Sequence, residues 1–348
     1  MDFGGGEEIR FERRGRAGIV TLTRPKALNA LTHGMVLALA RALAAWEADD
    51  AVAVVVVRAE GRAFCAGGDI LKVYEAGRAG ERPVAFFADE YRLNAAIARC
   101  SKPYVALVDG IVMGGGVGIS VHGSHRVFTE NAVFAMPETG IGFFPDVGGS
   151  YFLSRLKGSF GVYLGLTGNR IRAGDALWSG IATHGAASAD LAAMVEALAE
   201  SGDADAVCAG FDTCPPRETS DADIASIARH FSPESLSDIV LGLEQGAARG
   251  DEISIAALEV LAKRSPTSLH VALRQILDGG MLEMDECMIM EFRILNRMLA
   301  GHDFYEGIRA VLIDRGSVPA WDPPTMDAVD PAAIDAYFAP LPDGELAP

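Results

Sequence analysis

Residues 51–70 read AVAVVVVRAEGRAFCAGGDI, and the order of features in this stretch decides the fold. The first seven residues are an unbroken aliphatic run rich in valine. A run of that length and branching predicts a strand buried on both faces, as strands of parallel sheets are. The strand is followed at once by a glycine-rich segment, Ala63-Phe64-Cys65-Ala66-Gly67-Gly68-Asp69-Ile70.

Working outward, the same alternation recurs. Residues 17–23 (AGIVTLT) read as a strand. Thr32 caps a helical stretch in which Met35, Val36, Leu39, Leu43 and Trp46 repeat at helical spacing. Residues 84–100 are helical, and residues 104–108 after Pro103 form another strand. Glycine-rich segments follow at 114–118 and 140–149. Strand and helix in turn predict an α/β architecture with parallel pairing. Residues 201–225 carry few large apolar groups and include Pro215 and Pro216, so they read as a linker or surface excursion. Beyond them the chain is mostly helical to about Leu312, and the proline-rich tail reads as irregular. The division expected is a core over 8–215 and a C-terminal helical region with an irregular tail over 216–348.

The bulk composition narrows the function classes. Half of the 348 residues are hydrophobic and 22% are charged, enough for a sizeable core. The formal net charge is −17, which disfavours nucleic acid as a partner. The five cysteines are odd in number and form no CxxC, which argues against a disulfide framework and fits a reducing cytosol. A cytoplasmic location follows as the expectation. The N-terminal MDFGGGEEIRFERRGR lacks the apolar run of a signal peptide. No stretch approaches the roughly 20 apolar residues that span a bilayer, so no membrane partner is expected.

Three segments carry candidate chemistry. In Asp109-Gly110-Ile111-Val112-Met113-Gly114-Gly115-Gly116-Val117-Gly118, consecutive glycines open a probable helix after a strand. First-turn amides have no intrahelical acceptor, and bare glycines let a ligand approach them. One amide from this segment and one from residues 63–70, aimed at a single point, would form an oxyanion hole. For any single glycine pair, a tight turn or close helix–strand packing is the better reading. The spacing matches neither GxGxxG nor GxxxxGK[ST], which argues against a nucleotide phosphate loop.

The third segment, residues 134–149 (FAMPETGIGFFPDVGG), sets Glu138 and Asp146 among Phe, Met, Ile and Gly. Desolvation raises the pKa of such acids, and a carboxylate tuned upward can serve as a general base near neutral pH. Glu90 also stands out, because Phe86, Glu90, Leu93 and Ile97 share one helical stripe. Pairing with an arginine such as Arg92 or Arg99, or snorkelling to solvent, would account for it as well as a functional role would. No serine triad, nucleophile elbow or HExxH occurs, and no metal site is expected. Cys65 reads as a small buried filler, and His122 and His125 as packing or surface groups.

Taken in order, RPKALNAL (24–31), AFCAGGDI (63–70), GIVMGGGVG (110–118) and PETGIG with its trailing GG (137–149) resemble the enoyl-CoA hydratase/isomerase (crotonase) superfamily, over nearly the whole chain. The resemblance implies a crotonase-type spiral of ββα units followed by a C-terminal helical region. It implies an acyl-CoA substrate whose thioester oxygen is held by the amides of Gly68 and Gly115. It places the backbone of Ala66, Gly67, Asp69 and Ile70 against the adenine end of CoA. No cofactor is implied, since CoA is part of the substrate, and a homo-oligomer is allowed for.

Side chains decide between reactions within the superfamily. Hydratases carry two catalytic glutamates; one position is Gly118 here and the other is Glu138. The chain is more similar to the 3-hydroxyisobutyryl-CoA hydrolases, which carry MGGGVG, AMPET and PDVGG. SVHG (120–123), GIATH (180–184), SPTSL (265–269) and HDFYEGIRAVLIDR (302–315) fit the same group. That likeness implies thioester hydrolysis in valine degradation, with Glu138 and Asp146 catalytic and Glu90 at the substrate. Attack by activated water and attack by Glu138 itself through an anhydride both remain open at this point. Enoyl-CoA hydration or isomerisation on the same fold is the first competing reading, and a non-catalytic acyl-CoA-binding homologue the second.

Overall fold

The computed structural model describes residues 1–342 and 344–348. They form two compact units. The first comprises Met1–Asp69, Ala88–Ala135 and Arg170–Glu218; the second comprises Ile70–Phe87, Met136–Asn169 and Thr219–Pro348.

The first unit holds nine strands: β1 (Ile9–Arg14), β2 (Ala17–Leu22), β3 (Val54–Ala59), β4 (Ala63–Cys65), β5 (Tyr104–Val108), β6 (Ile111–Met113), β7 (His125–Thr129), β8 (Val133–Ala135) and β9 (His184–Ala186). They split between a six-stranded sheet, β1-β2-β3-β5-β7-β9, and a three-stranded sheet, β4-β6-β8. From β3 to β8, each successive strand pair gives its first member to the large sheet and its second to the small one. This is the spiral of ββα turns that the crotonase resemblance implied. Apart from the β1–β2 hairpin, which is antiparallel, every pairing between these strands is parallel.

Strand alternation assigns the covers of the large sheet. Ala17, Ile19, Val54, Val56, Val105 and Leu107 form one buried cluster with Met194, Val195, Leu198 and Cys208. Gly18 points the other way, and a Cβ there would come within 2.5 Å of the Trp46 ring. Helix His33–Glu47 therefore covers the second face. It is capped as the sequence predicts, with the Thr32 side chain accepting from Met35 N, and it buries Met35, Val36, Leu39, Leu43 and Trp46.

The second unit is helical. At its centre, helix Pro266–Gly279 buries Leu269, Val271, Ala272, Leu273, Gln275 and Ile276, with Pro266 in its first turn and Ser265 as cap. Helices Gly149–Leu153, Phe160–Thr167 and Met284–Met298 pack against it.

Three local expectations are corrected. The strand expected from Ala51 begins at Val54, because Asp49 turns the chain first by accepting from Ala51 N and Val52 N. The segment 201–225 is not all linker: Ala204–Phe211 is a helix, capped by Asp203, whose Cys208 is fully buried. Its small residues lower the apparent hydrophobicity while still filling the sheet face. The tail contains helix Pro331–Phe338, where Pro331 lies in the first turn and Asp330 caps. Proline there starts a helix rather than breaking one.

Candidate active site

In the first unit, parallel strands β4 and β6 end side by side, with Cys65 in register with Val112. Each runs into a glycine turn, so the two turns emerge at the same edge. Leu31 N donates to Gly67 O, and Asp69 N donates to Leu31 O. In a parallel ladder this pattern leaves the N–H of the intervening Gly68 turned away from Leu31. Gly114 adopts φ +47 and caps the short helix Gly115–Gly118, whose first amide has no intrahelical acceptor. The Gly68 nitrogen lies 3.3 Å from the position a Cβ on Gly115 would take. The sequence reading paired these two glycines, and the fold brings them together. Gly116 is required by contact rather than by conformation, since a Cβ there would meet Cys65 O at 2.1 Å.

Glu90 reaches the same place. It is 2% exposed, and its Oε1 lies 2.5 Å from the same Cβ position of Gly115. The apolar stripe of Phe86, Glu90, Leu93 and Ile97 thus carries a buried acid. Arg92 pairs with Asp89 at 2.9 Å. Around residues 66–70, Ala66 N donates to Leu28 O, Gly67 takes φ +120, and Asp69 pairs with Arg24 at 3.1 Å. Ile70 opens helix Ile70–Arg78, which belongs to the second unit. Cys65 is fully buried and its thiol is pushed up to about 12 by that burial, which leaves it an inert filler. His125 pairs with Asp205 at 3.0 Å and stacks on His184, a packing arrangement.

In the second unit, Glu138 opens the 3-10 turn Glu138–Ile141 and is 6% exposed. Its Oε2 finds no hydrogen-bond partner among the described residues. Burial, then the nearby charge of Asp146, pushes its carboxyl well above the usual carboxylate range, while Arg264 acts the other way. Asp146 is 4% exposed. Both acids are thus buried, as their apolar sequence neighbours predict.

Three residues of this neighbourhood were not found by the sequence reading. Arg264 donates to Thr167 O, and a Cβ on Gly140 would lie 2.3 Å from its Nη1. Gln275 donates to Pro145 O at 2.6 Å. Glu291, fully buried, accepts from Gly148 N at 2.8 Å, from Ser150 N at 2.9 Å and from the Ser150 hydroxyl. A signal for Glu291 did exist. Met284, Cys287, Met288, Glu291, Leu295 and Met298 share one buried helical stripe, the same pattern that exposed Glu90. No comparable signal marks Arg264 or Gln275.

The chain is similar to several known proteins over nearly its whole length. Residues 17–338 match the family model described as enoyl-CoA hydratase/isomerase. The chain is 44% identical over 351 residues to a Mus musculus protein named 3-hydroxyisobutyryl-CoA hydrolase, mitochondrial, covering 97% of this chain and 90% of the relative. A Danio rerio protein of the same name is 43% identical over 353 residues, covering 98% of this chain and 92% of the relative. A solved structure described as a carnitinyl-CoA dehydratase from Mycobacterium thermoresistibile superposes with a TM-score of 0.92 at 40% identity, covering 98% of this chain and 99% of that one. The names of the curated relatives overturn one expectation. Those enzymes are mitochondrial, so the cytoplasmic location read from the cysteines does not stand. Free thiols report a reducing compartment but do not say which one. No helix among the described residues is long and apolar enough to cross a membrane. With the ordered motifs, the ββα spiral and these matches together, the chain belongs to the enoyl-CoA hydratase/isomerase family.

Proposed function

We propose that this chain hydrolyses a short-chain 3-hydroxyacyl-CoA thioester, 3-hydroxyisobutyryl-CoA, to 3-hydroxyisobutyrate and free CoA. One observation carries the reading: the Gly68 nitrogen, its N–H turned away from Leu31, lies 3.3 Å from the Cβ position of Gly115, whose own amide heads a helix with no intrahelical acceptor. Two such donors suit a carbonyl oxygen that becomes an oxyanion. The names of the curated relatives supply the acyl group.

In this mechanism the thioester oxygen accepts from Gly68 N–H and Gly115 N–H. Glu138 takes a proton from water as the water oxygen bonds to the carbonyl carbon. The tetrahedral intermediate then collapses, the C–S bond breaks, and the CoA thiolate recovers the proton from Glu138. Asp146 holds the water or the acyl hydroxyl, and Glu90 binds on the acyl side. The backbone of Ala66, Gly67, Asp69 and Ile70 receives the adenine end of CoA. CoA arrives with the substrate, and no further cofactor takes part.

The test is thiol release from a panel of short-chain acyl-CoAs. Glu138→Gln is expected to fold and to lose turnover by orders of magnitude. Asp146→Gly is expected to lose hydrolysis while still binding CoA by calorimetry. Near-normal thiol release from folded Glu138→Gln would remove Glu138 from the mechanism.

Similarity to the carnitinyl-CoA dehydratase favours a second reading, addition or removal of water across an enoyl-CoA. Position 118 is glycine, so one of the two glutamates of that chemistry is missing. Enoyl-CoA formation from the 3-hydroxyacyl-CoA without thiol release would support the dehydratase reading over hydrolysis.

A further inference from the structure

We propose that Glu291 is a positioning residue for the hydrolysis, holding the turn that carries Asp146 by gripping the backbone on its far side. The inference rests on Asp146 belonging to the hydrolytic site. Asp146 is followed by Val147 at φ +51 and Gly148 at φ +87, and then by the helix starting at Gly149. A β-branched residue in the left-handed region is strained and persists only where its surroundings over-determine it. Glu291 supplies that determination. One carboxyl oxygen accepts from Gly148 N at 2.8 Å, and the other accepts from Ser150 N at 2.9 Å and pairs with the Ser150 hydroxyl. Gln275 holds the other side through Pro145 O at 2.6 Å. Asp146 itself closes the turn by accepting from Gly149 N at 2.8 Å.

Packing alone does not explain a carboxyl group at this site. Glu291 is fully buried on a stripe otherwise filled by Met, Cys, Ile and Leu, where an apolar side chain would avoid its desolvation. Its two oxygens fit two backbone amides two residues apart, which an apolar group cannot do. In Glu291→Gln, the amide group necessarily faces one of these N–H donors with a donor of its own.

The experiment compares wild type, Glu291→Gln and Ser150→Ala in thiol release, circular dichroism and amide hydrogen exchange. Glu291→Gln is expected to keep its fold and its KM within about twofold, and to lose about 10²-fold in kcat, the scale of a small misplacement in an active site. Exchange at Gly148 and Ser150 should accelerate selectively. Ser150→Ala keeps both amide bonds and should retain most of kcat. A folded Glu291→Gln with wild-type kcat overturns the proposal. Should that variant fail to fold, Glu291→Asp is read instead: it keeps the carboxyl group but withdraws it by one methylene, and wild-type kcat in it overturns the proposal equally. A wild-type chain that releases no thiol from any acyl-CoA sinks the hydrolase reading itself and this inference with it. An active wild type with undiminished variants sinks only the role of Glu291.

Discussion

The carboxylate of Glu90 lies against the bare Cα of Gly115, with Oε1 2.5 Å from where a Cβ would project. That spot also faces Leu31 Cδ1 at 3.2 Å and Gly68 N at 3.3 Å. An added methyl must displace one of them. Gly115→Ala is therefore expected to fold, with a stability loss of about 1–3 kcal/mol from overpacking, and to lose about 10²-fold in thiol release through a misdirected amide. Truncating Glu90 makes room. In a double-mutant cycle with Glu90→Ala, the stability costs should fall short of additive. Strict additivity in urea unfolding would contradict the close contact.

Glu138 should titrate above the ordinary carboxylate range, because burial and Asp146 both favour its neutral form. As a base it works only when ionised, so kcat/KM is expected to fall as pH drops through this raised pKa. Asp146→Asn removes one of the causes and should move the Glu138 titration to lower pH. Arg264→Gln removes the opposing cation and should move it higher. Carboxyl-carbon NMR titration of labelled glutamate reads both shifts directly. Equal Glu138 titrations in the two variants would show that neither charge reaches it.

Glu291 carries a stability consequence of its own. Burial raises its carboxyl from 4.5 to about 8. Folding thus favours the protonated form. This contribution is complete below the unfolded value and is lost as pH rises through about 8. At about 1.4 kcal/mol per pKa unit, the loss is on the order of a few kcal/mol. Glu291→Gln cannot ionise, so urea unfolding between pH 5 and pH 9 should show the wild type losing more stability than the variant. Parallel curves would contradict the assignment.

Trp46 anchors one face of the large sheet. It is 1% exposed, meets the Phe3 ring at 5.8 Å and the Phe11 ring at 6.1 Å, and rests on Gly18. Trp46→Ala should cost about 3–5 kcal/mol in denaturant unfolding. Its buried indole N–H has no partner among the described residues. Trp46→Phe, which removes that donor, should cost much less than the alanine change.

The sequence by itself determined the local parts: the valine strand, the capped helix after Thr32, the glycine turns and the buried acids Glu90, Glu138 and Asp146. Each follows from a short-range pattern, whether unbroken β-branched apolarity, 3.6-residue spacing or side-chain-free backbone. The ordered motifs also made the family legible. Local pattern was weakest where burial comes from small residues, and helix Ala204–Phe211 was read as linker for that reason. Only the tertiary structure decided which distant groups serve the same turn. Glu291 and Gln275 lie more than a hundred residues beyond the backbone they hold, and Arg264, next to the Ser265 cap of helix Pro266–Gly279, acts on Glu138 across a similar stretch of chain. Hydrogen bonds and Coulomb terms act over a few ångströms of space. Chain separation leaves no periodic trace of them, so they become visible only once the helices are packed.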